Sequence, residues 1–226
     1  MNYRMNAPSH PDCSGYFRRN PDSPGKAQNP GGILLFFGIL TISTWAVSAS
    51  EKQQSFRVDM LDSAVLKTST YQDYHISRAL KRRKAALLIF PGAWDPYSIH
   101  ALKVLRNVEA ELAAMDVQVI AVTADSPVKI KELLDEHDIP FVVASDPALL
   151  VADRFGMIEK VHSSRLKQLQ HAGVGEVKRL STLNLLFFRE DGKMESLWRP
   201  GEDDLLISQQ QVKDMAAELH VLPSGP

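Results

Sequence analysis

The chain has 226 residues, with 26 Lys and Arg against 27 Asp and Glu, and a formal net charge of −1. So balanced a charge supplies no global field for nucleic acid, and that class of partner is set aside. A 44% hydrophobic content suits an ordinary apolar core, while the single cysteine, Cys13, leaves no internal disulfide to support it.

Residues 1–30 are rich in Pro, Asn, Gly and Ser and read as a disordered N-terminal region. Residues 31–49 are apolar, and Ile33–Leu40 carries no charge; Arg18, Arg19 and Lys26 precede it. Val47-Ser48-Ala49 has the small-residue spacing of a signal-peptidase site, with cleavage before Ser50. The length also approaches the ~20 residues that cross a bilayer. The segment therefore reads as a signal peptide or a transmembrane anchor. The implied location is periplasmic or extracytoplasmic, with membrane contact only through this segment. Residues 50–226 are then the folded domain.

Within that domain, Ala85–Phe90 is an apolar run of strand length. The run Lys81-Arg82-Arg83-Lys84 before it reads as a solvated turn. Tyr97–Met115 carries Ile99, Leu102, Leu105, Val108, Leu112 and Met115 at near-helical spacing, and Val117–Val122 is a second buried strand. Asp125-Ser126-Pro127 supplies a cap with proline at the first helical position, opening a helix to about His137 with Ile130, Leu133 and Leu134 on one face. Phe141-Val142-Val143 predicts a short strand and Ala148–Phe155 a helix. Glu159–Arg179 is basic, broken by Gly173 and Gly175, and reads as an excursion. Leu183–Phe188, the turn Glu190-Asp191-Gly192-Lys193 and Met194–Trp198 predict a hairpin, and Gln209–Leu219 a closing helix. Strands alternating with crossover helices, then a hairpin, imply an α/β sheet covered on both faces.

Several segments in order resemble one family. They are Ile120-Ala121-Val122-Thr123-Ala124-Asp125-Ser126-Pro127, Ile139-Pro140-Phe141-Val142-Val143-Ala144-Ser145-Asp146-Pro147, Asp153-Arg154-Phe155-Gly156 and Phe188-Arg189-Glu190-Asp191-Gly192-Lys193, with Trp198-Arg199-Pro200 after them. The set resembles the peroxiredoxin-like branch of the thioredoxin fold, the alkyl hydroperoxide reductase and thiol-specific antioxidant family. Phe90-Pro91-Gly92-Ala93-Trp94-Asp95-Pro96-Tyr97-Ser98 is similar to the Phe-Arg-Gly-Ala-Trp-Cys-Pro-Tyr-Cys of one subgroup. The resemblance implies a thioredoxin-like fold with a central mixed sheet flanked by helices. For members with intact cysteines it implies thiol-based antioxidant oxidoreductase activity, reducing peroxides or disulfides.

Asp95 and Ser98 stand where that motif has its two cysteines, and Pro91 where it often has arginine. Leu180-Ser181-Thr182 stands where thioredoxin folds usually carry a cis-proline. Peroxide reduction needs a thiolate that becomes a sulfenic acid, a step open to neither a carboxylate nor an unactivated hydroxyl. Asp95 suits a helix N-cap before Pro96, or a fixed anion in place of a thiolate. Ser98 reads as a small filler one turn into the helix. Trp94, Pro96, Tyr97 and Arg199 mark the candidate binding site, with Trp94 and Tyr97 as an aromatic rim for a peptide or protein partner. His75, His137, His162, His171 and His220 show no ligand spacing, so neither metal nor cofactor is expected. The sequence leaves the oligomeric state open.

Overall fold

Aliphatic runs bounded by turn residues become the centre of a seven-stranded sheet. The computed structural model describes residues 57–219 apart from 163–165, 167–168, 171–173, 175–176 and 202–203. Cys13 and the two N-terminal segments at 1–30 and 31–49 lie outside the described residues. Among the described residues, no helix is long and apolar enough to cross a membrane.

The strands are β1 (Val65–Thr68), β2 (Asp73–His75), β3 (Lys84–Phe90), β4 (Val117–Thr123), β5 (Val142–Ser145), β6 (Ile158–Lys160), β7 (Arg179–Ser181), β8 (Asn184–Phe188) and β9 (Met194–Trp198). The main sheet runs β2-β1-β5-β4-β3-β8-β9, and β6 and β7 form a separate pair. β3, β4 and β5 are parallel, whereas β8 runs antiparallel to β3 and β9 antiparallel to β8. This is the mixed sheet and thioredoxin-like architecture expected from the sequence. The β1–β2 hairpin adds antiparallel to β5, a feature with no counterpart in the sequence reading.

The period of two along each inner strand divides the core. Ala86, Leu88 and Phe90 of β3, Val119 and Ala121 of β4, and Leu185 and Phe187 of β8 enter one cluster. Ala85, Leu87, Ile89, Ile120, Val122, Leu186 and Phe188 enter the other. The first cluster is closed by α2 (Pro96–Ala114), α3 (Pro127–His137) and α5 (Gln209–Glu218). The second is closed by α1 (Ile76–Leu80), α4 (Leu150–Arg154) and a 3₁₀ turn at Val58–Leu61. Each fully buried Leu, Ile or Phe contributes roughly 1.5–3 kcal/mol relative to exposure.

The helices start as their sequences dictate. Ser126 caps α3 by accepting from the Lys129 N–H, with Pro127 in the first turn. Ser208 and Gln211 form a capping box at α5.

Most element bounds shift by a residue from the sequence reading, and two shifts bear on the fold. Phe141 precedes its strand, which begins at Val142. The helix expected from Ala148 is only Leu150–Arg154, because Leu149 is left-handed at φ 56° and Asp146 accepts the Leu150 and Val151 N–H groups at 2.8 Å each. The basic run is solvated in part. Lys81 pairs with Asp59 and Asp62 and Arg83 with Asp116, all at exposed positions, whereas Lys84 opens β3. The foot of the 159–179 excursion is the β6–β7 pair, with Lys160 opposite Arg179.

Candidate functional site

The motif loop leaves the carboxyl end of β3 and feeds the N-terminus of α2, where ligands commonly meet open α/β sheets. Asp95 is the N-cap. Its Oδ2 accepts from the Ser98 N–H at 2.9 Å and from the Ser98 hydroxyl at 2.5 Å. Asp95 is 8% exposed and Ser98 is fully buried. The carboxylate therefore satisfies one of the helix-start N–H groups that have no partner within the helix. The serine hydroxyl donates to that carboxylate and is closed to solvent, so it presents no nucleophile. His100 on the next turn is bonded to the Ile207 carbonyl at 3.0 Å, away from Ser98.

A layer of buried and half-buried polar side chains fixes the loop. Asp125 Oδ2 accepts from the Ala93 N–H at 2.7 Å and from the Thr123 hydroxyl at 3.3 Å. The Ser145 hydroxyl donates to the Asp125 carbonyl at 2.7 Å. Ser181, in the stretch compared with the cis-proline position, donates its hydroxyl to the Phe90 carbonyl at 2.9 Å. No cis peptide bond occurs among the described residues. Gly92 is required by crowding: a Cβ there would lie 2.6 Å from Trp94 Nε1 and 3.2 Å from Asp125 Oδ1.

Beside the motif lies a cleft of about 550 Å³ between the start of α2 and one side of α3. Ala93, Trp94, Pro96 and Ile99 line it from the motif, and Lys129, Glu132, Leu133, Glu136 and His137 from α3. Of the residues singled out from sequence, Trp94 and Pro96 reach this cleft, and Asp95 and Ser98 form the cap beneath the loop. Tyr97 is half-buried against the first core cluster and is not among the residues lining this cleft. Arg199 is exposed on the strand-exit loop after β9.

The contributions of Asp125, Gly92 and the α3 lining were not foreseen. Asp125 looked like part of a helix cap, and its bond to Ala93 spans 32 residues. The α3 lining was visible in principle as the polar set 129, 132, 136 alternating with buried Ile130 and Leu133. Among the described residues, no group of three or more His, Cys, Asp or Glu could hold a metal ion.

Residues 58–194 match the model of the AhpC/TSA family. The bcp protein of Haemophilus influenzae, named as a peroxiredoxin, is 27% identical over 75 residues, which cover 33% of this chain and 48% of that protein. The match thus spans about half of that relative. Among solved structures, peroxidoxin BcpB of Mycobacterium tuberculosis superposes with a TM-score of 0.55 at 16% identity, over 71% of this chain and 94% of the other. Peroxiredoxin Q of Xanthomonas campestris gives 0.58 at 13%, over 73% and 94%. A secreted disulfide oxidoreductase of Mycobacterium tuberculosis gives 0.52 at 14%, over 70% and 97%. At these identities the superpositions establish the fold alone.

Proposed function

This chain belongs to the AhpC/TSA family, and from that premise we propose that it acts as a thiol-independent binding or accessory module whose redox cysteines have been lost. The observation that carries the reading is the Asp95–Ser98 pair. A carboxylate and a buried hydroxyl, bonded to each other, occupy the helix start at which the resembled motif has its cysteines. Cys13 is the only sulfhydryl in the sequence and lies 82 positions before Asp95, outside the family match. The partner we propose is a protein or peptide engaging the motif loop through Trp94. Export, or attachment through residues 31–49, is part of the same reading.

The decisive experiment is peroxide consumption by the full chain carrying Cys13→Ser, with a thiol reductant supplied. The expected result is no turnover above the reductant alone, and sustained turnover refutes the reading. Capture of a specific partner should be lost on Trp94→Ala with the circular dichroism unchanged. Fractionation and N-terminal sequencing test the location, with a soluble form starting near Ser50 marking cleavage.

The family relationship also favours a second reading, an oxidoreductase of peroxides or disulfides. It requires activity to survive Cys13→Ser and to fall on Asp95→Ala or Ser98→Ala in folded protein.

A further inference from the structure

The cleft beside the motif has a lining that selects its ligand. Its floor is apolar, from Ala93, Trp94, Ile99 and Leu133. Its α3 side carries Glu132 and Glu136, one turn apart and therefore neighbours on the same helix face. Like charges at that spacing repel. Among the described residues neither carboxylate is paired with a lysine or arginine, and the nearest basic atom to Glu136 is His137 Nε2 at 3.9 Å. Asp135 on the same helix, by contrast, pairs with Lys131 at 2.9 Å. An indole and two exposed carboxylates with no lysine or arginine partner thus border one cleft.

Resting on the binding reading above, we propose that this cleft holds the side chain of an arginine from a partner peptide. A guanidinium is planar and weakly hydrated, so it stacks on indole while its five N–H donors serve two carboxylates. An ammonium lacks the fork and the flat face. Lys129 lines the same cavity and sets the opposing term. Its positive charge weakens a cationic ligand and would strengthen an anionic one.

Titration of the full chain with the capped tripeptides acetyl-Gly-Arg-Gly-amide, its lysine analogue and its uncharged citrulline analogue tests the assignment. The readout is the Trp94 indole N–H resonance, assigned by its absence in Trp94→Phe. Expected is a saturable shift with the arginine peptide, weaker with lysine, absent with citrulline and reduced by salt. Glu132→Gln/Glu136→Gln should weaken arginine binding about tenfold, the scale of charge-assisted contacts at a partly exposed site. Lys129→Gln should tighten it. Equal response to citrulline, indifference to the Gln substitutions, or loosening by Lys129→Gln overturns the proposal. If the arginine peptide fails while partner capture still depends on Trp94, only the ligand class is wrong. Peroxide turnover by the Cys13→Ser chain refutes the underlying reading independently of any titration.

Discussion

Replacing Asp95 by alanine removes two things at once. The Ser98 N–H loses its cap, worth ~1 kcal/mol, and the fully buried Ser98 hydroxyl loses its acceptor. A stranded buried polar group costs about 1–3 kcal/mol, so the single substitution should destabilise by about 2–4 kcal/mol. The lower end applies if the freed hydroxyl turns onto a carbonyl one helical turn back. Ser98→Ala alone forfeits only one hydrogen bond, about 1 kcal/mol, because Asp95 still accepts from the residue 98 N–H. In the double variant there is no hydroxyl to strand, so it should cost less than the two single effects added together. The expected coupling is about 1–2 kcal/mol, within the range for residues in direct contact. Urea unfolding followed by far-ultraviolet circular dichroism measures all three, provided the slopes agree. Additivity within about 0.5 kcal/mol, or an Asp95→Ala penalty below that figure, would show that the cap and the buried bond are not coupled as described.

Gly92→Ala places a methyl 2.6 Å from Trp94 Nε1 at a backbone with φ +159° and should cost about 1–3 kcal/mol; combining it with Trp94→Ala should relieve the steric part and leave the backbone part in the same urea assay. Burial holds the Asp146 carboxyl above its usual 3.8, against the hydrogen bonds from Val151 and Leu150 that lower it. The native state therefore binds that proton more tightly than the unfolded chain. Its contribution is complete below 3.8 and is lost as pH rises through the elevated native value. Asp146→Asn should abolish that portion of the pH dependence, measured as the difference in unfolding free energy from acid to neutral pH. Burial pushes the Tyr74 phenol from 10.0 up to about 12, so its stabilising share is present below pH 10 and lost toward pH 12. Phenolate absorbance should lose a late-ionising component in Tyr74→Phe.

The inner strands were legible because burial on both faces leaves an unbroken apolar run, as in Ala85–Phe90 and Val117–Val122. The α2 and α3 starts were legible because proline at the first helical position and an Asp or Ser cap are local signals. The segment from Val58 to Leu80 was not. β1 buries only Leu66, β2 is three residues long and α1 five, too little for either period to emerge. The helix-start carboxylate could be placed from sequence because its contacts lie three residues apart. The Asp125 bond to Ala93 could not, since it exists only once β3 and β4 are adjacent. The contact of Tyr97 with the first core cluster has the same origin: sequence places it in the first turn of α2, and only the packed core decides what that turn meets.

The paired foot of the excursion matters beyond its own three rungs. Its ends lie side by side at Lys160 and Arg179, and Ser181 on the returning strand is latched to Phe90, the root of the motif loop. Chain entering and leaving at one point can be lengthened at small entropic cost, each doubling adding only about 0.6 kcal/mol, but Leu169 inside the excursion is buried, so trimming or exchanging that part also loses core burial. The excursion is therefore a place for added sequence and not for wholesale replacement, because Leu169 is tied into the core and Ser181 into the root of the motif loop.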